Sequence, residues 1–210
     1  MPAAALVLFG DVIRSRREPI AATEWLRILT TDLTEAYPAV ERLAPFEFTQ
    51  GDEIQGLLAA TADPLRAVLR ATLHPEAARM RWVVVAGAVD PGHGPATQRS
   101  GPAFIAAREK LAVAVARREL LAVVSGDSAT DELLGALAPL LGELLADLTD
   151  RQREIGWLLL VEGLRRSEAA ERLGVSRATI SVAADRAHLR SIRELARVVR
   201  TLLARATMGP

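Results

Sequence analysis

The chain has 210 residues, half of them hydrophobic and a quarter charged, with no cysteine. Those proportions exclude a disordered or fibrous chain, and the missing cysteines exclude disulfides, a thiolate zinc site and a cysteine nucleophile. The formal net charge of zero hides an asymmetry: from Thr149 onward there are 12 arginines and 7 acids (+5), and before it 14 basic and 19 acidic residues (−5). An acidic front joined to a basic tail suggests two modules, the tail facing a polyanion.

In chain order, Ala5–Phe9 reads as a buried strand ending in Gly10-Asp11. No basic segment precedes this apolar run, so it is not expected to be a secretion signal. The longest apolar runs, Trp82–Val89 and Trp157–Val161, are far short of the ~20 residues of a membrane helix. A cytoplasmic, non-membrane protein is expected. Residues 20–40 have helical spacing, with Trp25, Ile28, Leu29, Leu33 and Ala36 on one stripe. Pro45–Gln50 and Ile54–Leu58 flank Gly51-Asp52 and predict a β-hairpin, with Phe46 and Phe48 on one face. Leu65–Leu73 predicts a helix, Arg81–Val89 a central strand, Pro102–Arg118 a helix with proline in its first turn, Leu120–Val124 a strand and Asp131–Leu148 a helix.

The mixed order of strands and helices implies an α+β or α/β sheet with helices on its faces. After Thr149 only helices are predicted: Arg151–Glu162, Ser167–Leu173, and Arg177 to about Ala206. The expected division is 1–148 for the sheet module and 149–210 for the helical module. The boundary carries no Gly/Pro hinge, so close packing of the two is expected.

The tail has the spacing of a helix-turn-helix. Gly174 supplies a turn where positive φ is tolerated. Ala170 is small enough for close approach, and Leu173, Val175 and Ile180 point inward. Ser167 and Ser176 are the expected helix caps. The exposed face would carry Ser176, Arg177, Thr179, Ser181 and Arg186, donors suited to phosphates and base edges in the major groove of double-stranded DNA. The alternative at this level is a three-helix packing module that binds no DNA. The stretch Leu148, Thr149, Arg151, Gln152, then Gly163 through Ile180, resembles the helix-turn-helix of LuxR-type regulators and of sigma-factor region four. That resemblance implies DNA binding by a regulator. The segment 192–203 is either a dimer-forming helix or one that packs on its own module.

In the front module, Asp11 ends a strand and Asp52-Glu53 sits at a hairpin tip. If the two strands are neighbours, their carboxylates project from one edge. Mg²⁺ takes one or two carboxylates with phosphate oxygens and waters. Arg14, Ser15, Arg16 and Arg17 follow Asp11 and could hold phosphates. The same residues also fit a plain strand-end cap, an ordinary turn and a solvated loop.

The segments GDVIRSRR, FEFTQGDEIQGLL and GPAFIAAREKL, followed by the helix-turn-helix tail, resemble the SatD family of bacterial proteins. The front is similar to class III nucleotidyl cyclase and GGDEF domains. This resemblance implies a ferredoxin-like, cyclase-type βαββαβ sheet module followed by an all-α helix-turn-helix module. It also implies Asp11 and Asp52 as metal ligands and Arg108 as a phosphate contact. A nucleotide or cyclic dinucleotide is the implied ligand, and a homodimer the implied assembly. The cyclase asparagine falls on Phe104, and Gln50 and Ile54 replace residues of a GGDEF turn. Expected function is therefore a DNA-binding transcriptional regulator with a degenerate ligand-sensing front; the alternative is a Mg-dependent nucleotidyl or dinucleotide cyclase carrying a DNA module. No catalytic residue is named by the sequence. His74, His93 and His188 are scattered and predict no metal site, and Trp157 is expected to anchor the core of the tail.

Overall fold

A computed structural model describes residues 4–13, 19–48 and 52–208. It is an α+β fold with a five-stranded mixed sheet and eight α-helices among the described residues. The strands are β1 (Ala4–Val12), β2 (Arg42–Phe48), β3 (Glu53–Ala59), β4 (Met80–Ala88) and β5 (Leu121–Val124). The helices are α1 (Pro19–Ala36), α2 (Leu65–Leu73), α3 (Pro102–Arg117), α4 (Ser128–Ala146), α5 (Asp150–Gly156), α6 (Arg166–Leu173), α7 (Arg177–Arg186) and α8 (Leu189–Met208). The sheet order is β2-β3-β1-β4-β5. β1 is central and antiparallel to both neighbours, while β5 runs parallel to β4.

β1 is apolar on both sides because both faces of the sheet are covered. Leu6 and Leu8 face a core that includes Trp25, Leu26, Leu29 and Leu33 of α1 and Val68 of α2. Val7 and Phe9 face the opposite layer, built on Ala103, Phe104, Ala107 and Leu111 of α3. Phe46 is buried and Phe48 partly buried on the same face, as their alternation predicts. Ile28 departs from the expected stripe and is exposed, because the buried row of α1 runs through Ala22, Leu26, Leu29 and Leu33.

The first core continues without interruption past residue 148. It includes Leu134, Leu141 and Leu145 of α4, then Ile155, Leu159, Ile180, Ile192, Val199 and Leu203. α4 and α8 pack against each other within it. Asp63, just before α2, adds a polar tie, accepting from Arg200 of α8 at 2.8 Å.

Several boundaries differ from the periodicity. β1 continues through Asp11 to Val12, because Asp11 stays in register with Glu53 and Arg81. The helix expected over 151–162 is α-helical only to Gly156; Trp157–Val161 widens into a π-helical turn. The helix expected from Arg177 to about Ala206 is two helices, broken at His188, whose φ is +51°. Trp157 does not sit in a core private to the tail. It packs edge-on against His74 at 5.1 Å, under the Arg70 guanidinium at 5.0 Å, so it joins the tail to α2.

Candidate nucleic-acid interface and a carboxylate edge

α6 and α7 meet at Gly174, whose φ of +63° ends α6 in the left-handed conformation that glycine adopts without strain. Val175 N–H donates back to the Ala170 carbonyl at 3.0 Å, and the short Ala170 side chain is buried. Ile180 and Ala184 anchor α7 in the core. Ser176 caps α7 as expected, its Oγ accepting from Thr179 N–H at 3.0 Å. Ser167 does not cap α6. It lies inside the first turn, and the Arg165 N–H is instead met by the Glu168 carboxylate at 2.6 Å. Thr149 and Gln152 form a reciprocal capping box on α5, which accounts for their three-residue spacing.

Ser176, Arg177, Thr179 and Arg186 are exposed, and Ser181 is half-buried. At 100° per residue, with Ile180 and Ala184 inward, the centre of the outward face falls on Ala178 and Val182. Both are exposed, Val182 by 51%. Ser181 flanks this centre on one side, Thr179 and Arg186 on the other, while Arg177 stands about 120° from it, towards the Ala184 side. A groove of about 540 Å³ runs beside it, lined by Thr149, Arg151, Gln152, Thr179, Val182 and Arg186. Ala178 and Val182 carry no polar donor, so residue type alone did not mark them as contacts. An apolar side chain is also a base reader, through the thymine methyl group.

The second site lies at one end of the sheet. Asp11 stands directly opposite Glu53 on β3 and Arg81 on β4. Directly opposed residues share a face, here the face covered by α3. Asp52 is next to Glu53, and its carbonyl accepts from Val12 N–H at 2.8 Å. Asp11, Asp52 and Glu53 therefore gather at the same sheet end. Arg81 Nη1 donates to the Asp11 carboxylate at 3.1 Å, and its Nε donates to the Glu119 carbonyl at 2.9 Å. Arg108 reaches down from α3 to both Glu53 oxygens, at 2.9 and 3.1 Å, with its guanidinium over the Phe9 ring.

Burial holds the Asp11 carboxyl above the usual carboxylate range; the charge of Asp52 pushes it the same way, and Arg81 opposes. Two adjacent carboxylates match in kind what Mg²⁺ takes together with phosphate oxygens and waters. Among the described residues, no three His, Asp or Glu side chains converge closely enough to hold a metal by themselves. Phe104 packs against Phe9 with ring centroids 6.1 Å apart and belongs to the core of this face. Arg14, Ser15, Arg16 and Arg17 lie outside the described residues, as do Gln50 and Gly51. No helix among the described residues is long and apolar enough to cross a membrane.

The chain matches no protein-family model, no curated protein and no solved structure.

Proposed function

We propose that this protein is a DNA-binding regulator that reads duplex DNA with α7. The observation that carries this reading is the αL turn at Gly174 between two short helices. It is flanked by the buried Ala170 and Ile180 while the outer side of α7 stays exposed. A helix held by its back and bare in front suits insertion into a major groove, where side chains reach base edges and phosphates. Ala178 and Val182 would meet the bases. Ser176, Thr179, Ser181 and Arg186 would flank them, with Arg177 farther round the helix.

The front module is the sensing half of this proposal. Its first six elements run βαββαβ with strand order β2-β3-β1-β4, which supports a ferredoxin-like, cyclase-type fold; the described parts of the first two motifs that resemble the SatD family lie on β1, β2 and β3, and the third lies on α3. Asp11 and Asp52, gathered at one sheet end, support binding of a phosphate-bearing ligand, such as a nucleotide or cyclic dinucleotide. Asp11 and Asp52 would hold Mg²⁺, which would supply positive charge for a phosphate group. Catalysis is the weaker alternative, because Phe104 fills the position of a polar ribose contact with a ring committed to the core.

The test is selection of binding sequences from a random duplex pool with the full chain, followed by anisotropy with Val182→Glu. Val182 is exposed, so its replacement leaves packing alone while setting a carboxylate against the bases and phosphates. Binding should weaken by at least about 1–3 kcal/mol, the scale of a lost base contact. Failure of the folded wild-type protein to bind any duplex at low salt refutes the proposal.

A further inference from the structure

A groove of about 1450 Å³ runs between α2 and the helices α6, α7 and α8. Nine arginines line it against two carboxylates, Asp63 and Glu194. Four of the arginines, Arg190, Arg193, Arg197 and Arg200, recur at spacings of three, four and three along α8 and so share one side of that helix. Ten steps along the helix, from Arg190 to Arg200, spread them over about 15 Å. Arg177, the first residue of α7, also lines the groove.

The arginines are not equivalent. Arg200 is held by Asp63 at 2.8 Å, Arg197 by Glu194 at 2.9 Å and Arg166 by Asp185 at 3.3 Å. Arg193 donates only to the Leu159 carbonyl, at 3.2 Å. Arg177 and Arg190 have no hydrogen-bond or ion-pair partner among the described residues. The three guanidiniums without a carboxylate are thus Arg177, at the start of α7, and Arg190 and Arg193, near the start of α8.

The occupant must be anionic, extended and read without bases. The groove exceeds the 300–1,000 Å³ of ordinary small-molecule sites. Its charges are strung along its length instead of converging on one point, and no aromatic ring lines it for base stacking. A phosphate backbone has this shape and charge.

We propose that the groove is a phosphate track: the DNA strand flanking the α7 site passes along its mouth and is held by Arg177, Arg190 and Arg193. This rests on the DNA-binding reading above and extends it to α8, an element outside the helix-turn-helix. Contacts of this kind add affinity without adding sequence preference.

The experiment is a salt titration of full-chain binding, by anisotropy, to the selected duplex and to an unrelated one. Each phosphate neutralised contributes about 0.9 to the slope of log K against log salt. The variant R190A/R193A should flatten the slope by about 1.8 and leave the affinity ratio between the two duplexes unchanged. R190A alone, which removes no hydrogen bond or ion pair among the described residues, should flatten it by about 0.9 and covers the case in which the double variant is unstable. R190K/R193K should keep the wild-type slope. R117A, on α3, should also keep it. A wild-type slope in R190A, with duplex binding intact and still sensitive to Val182→Glu, overturns the track while leaving the α7 reading in place. A fall in the affinity ratio overturns it as well, since base reading is then involved. If inorganic tripolyphosphate raises the melting temperature of wild type but not of R190A, while the slopes agree, the groove takes a free phosphate ligand and the track is wrong. No duplex binding by wild type removes both readings together.

Discussion

Tyr37 is the only tyrosine of the chain. It is buried to 1% exposure at the end of α1, with its ring stacked on Phe46 at 5.7 Å. Its hydroxyl donates to the Asp63 carbonyl at 2.6 Å and accepts from the Ala67 N–H at 2.9 Å. Replacing Tyr37 by phenylalanine keeps the ring and removes both bonds. Neither former partner is orphaned: the Asp63 carbonyl also accepts from Arg66 N–H at 3.2 Å, and Ala67 N–H also reaches the Pro64 carbonyl at 3.2 Å. The cost is therefore near the net worth of two hydrogen bonds, less the gain from no longer burying a hydroxyl, or about 1–2 kcal/mol in total. For a chain of this size that corresponds to a fall in Tm of roughly 2–8 °C. Urea unfolding with an unchanged m-value is the measurement. A loss below about 0.3 kcal/mol would mean that the hydroxyl is hydrated in solution and that the α1–α2 tie is not formed. A second readout uses the same group. Burial, above all, pushes its ionisation far above the ordinary value. Tyrosinate absorbance should stay absent as pH passes about 10 and rise only with global unfolding. Its appearance in folded protein would refute the burial argument.

Two further predictions concern charge. The folded Asp11 carboxyl is raised, so the native state holds that proton more tightly than the unfolded chain; the stability it contributes is present in acid and is lost as pH rises through the folded value. Asp11→Asn should therefore melt higher than wild type at neutral pH, with the difference vanishing below about pH 4; a lower melting temperature at neutral pH contradicts the reading. His74, between Trp25 and Trp157 with ring centroids 5.1 Å from each, is shifted the other way, mainly by burial. Its neutral Nδ1 also accepts from the Glu76 N–H at 3.1 Å. Its contribution is present above the unfolded value of about 6.5 and is lost as pH falls through it. Urea midpoints should drop more for wild type than for His74→Phe between about pH 7.5 and 5.5, and equal drops would count against the buried neutral ring.

Much of this architecture was legible in local signals. The alternation of Phe46 and Phe48, the apolar run of β4 and the proline at the start of α3 each act over a few residues. Gly174 and Ser176 likewise marked the turn and cap between α6 and α7. What escaped was set by partners distant in the chain. Asp11 remains in its strand because Glu53 and Arg81 flank it, which no window around Asp11 contains. The break at His188 has no glycine or proline to announce it; Ala187 and Leu189 are both buried on either side, and that packing imposes the positive φ. The arginine row of α8 was present at helical spacing, yet it read as a general basic tail until α2 supplied the opposite wall of the groove. Asp11 and Asp52 could be paired from the sequence, whereas Arg81, which faces Asp11, required the β1–β4 register.

The interior shared by the sheet module and the tail bears on how a signal would travel. Leu159, Ile180 and Val199 belong to the same packed mass as Leu8, Trp25 and Val68. A close-packed interior yields little and passes displacement on. The α7 surface is thus borne by the same body as the sheet, with no tether between them to take up slack. A shift of α2 by a fraction of an ångström would reach α7 through α5, which packs against both, as a push on one end of a rigid bar arrives at the other.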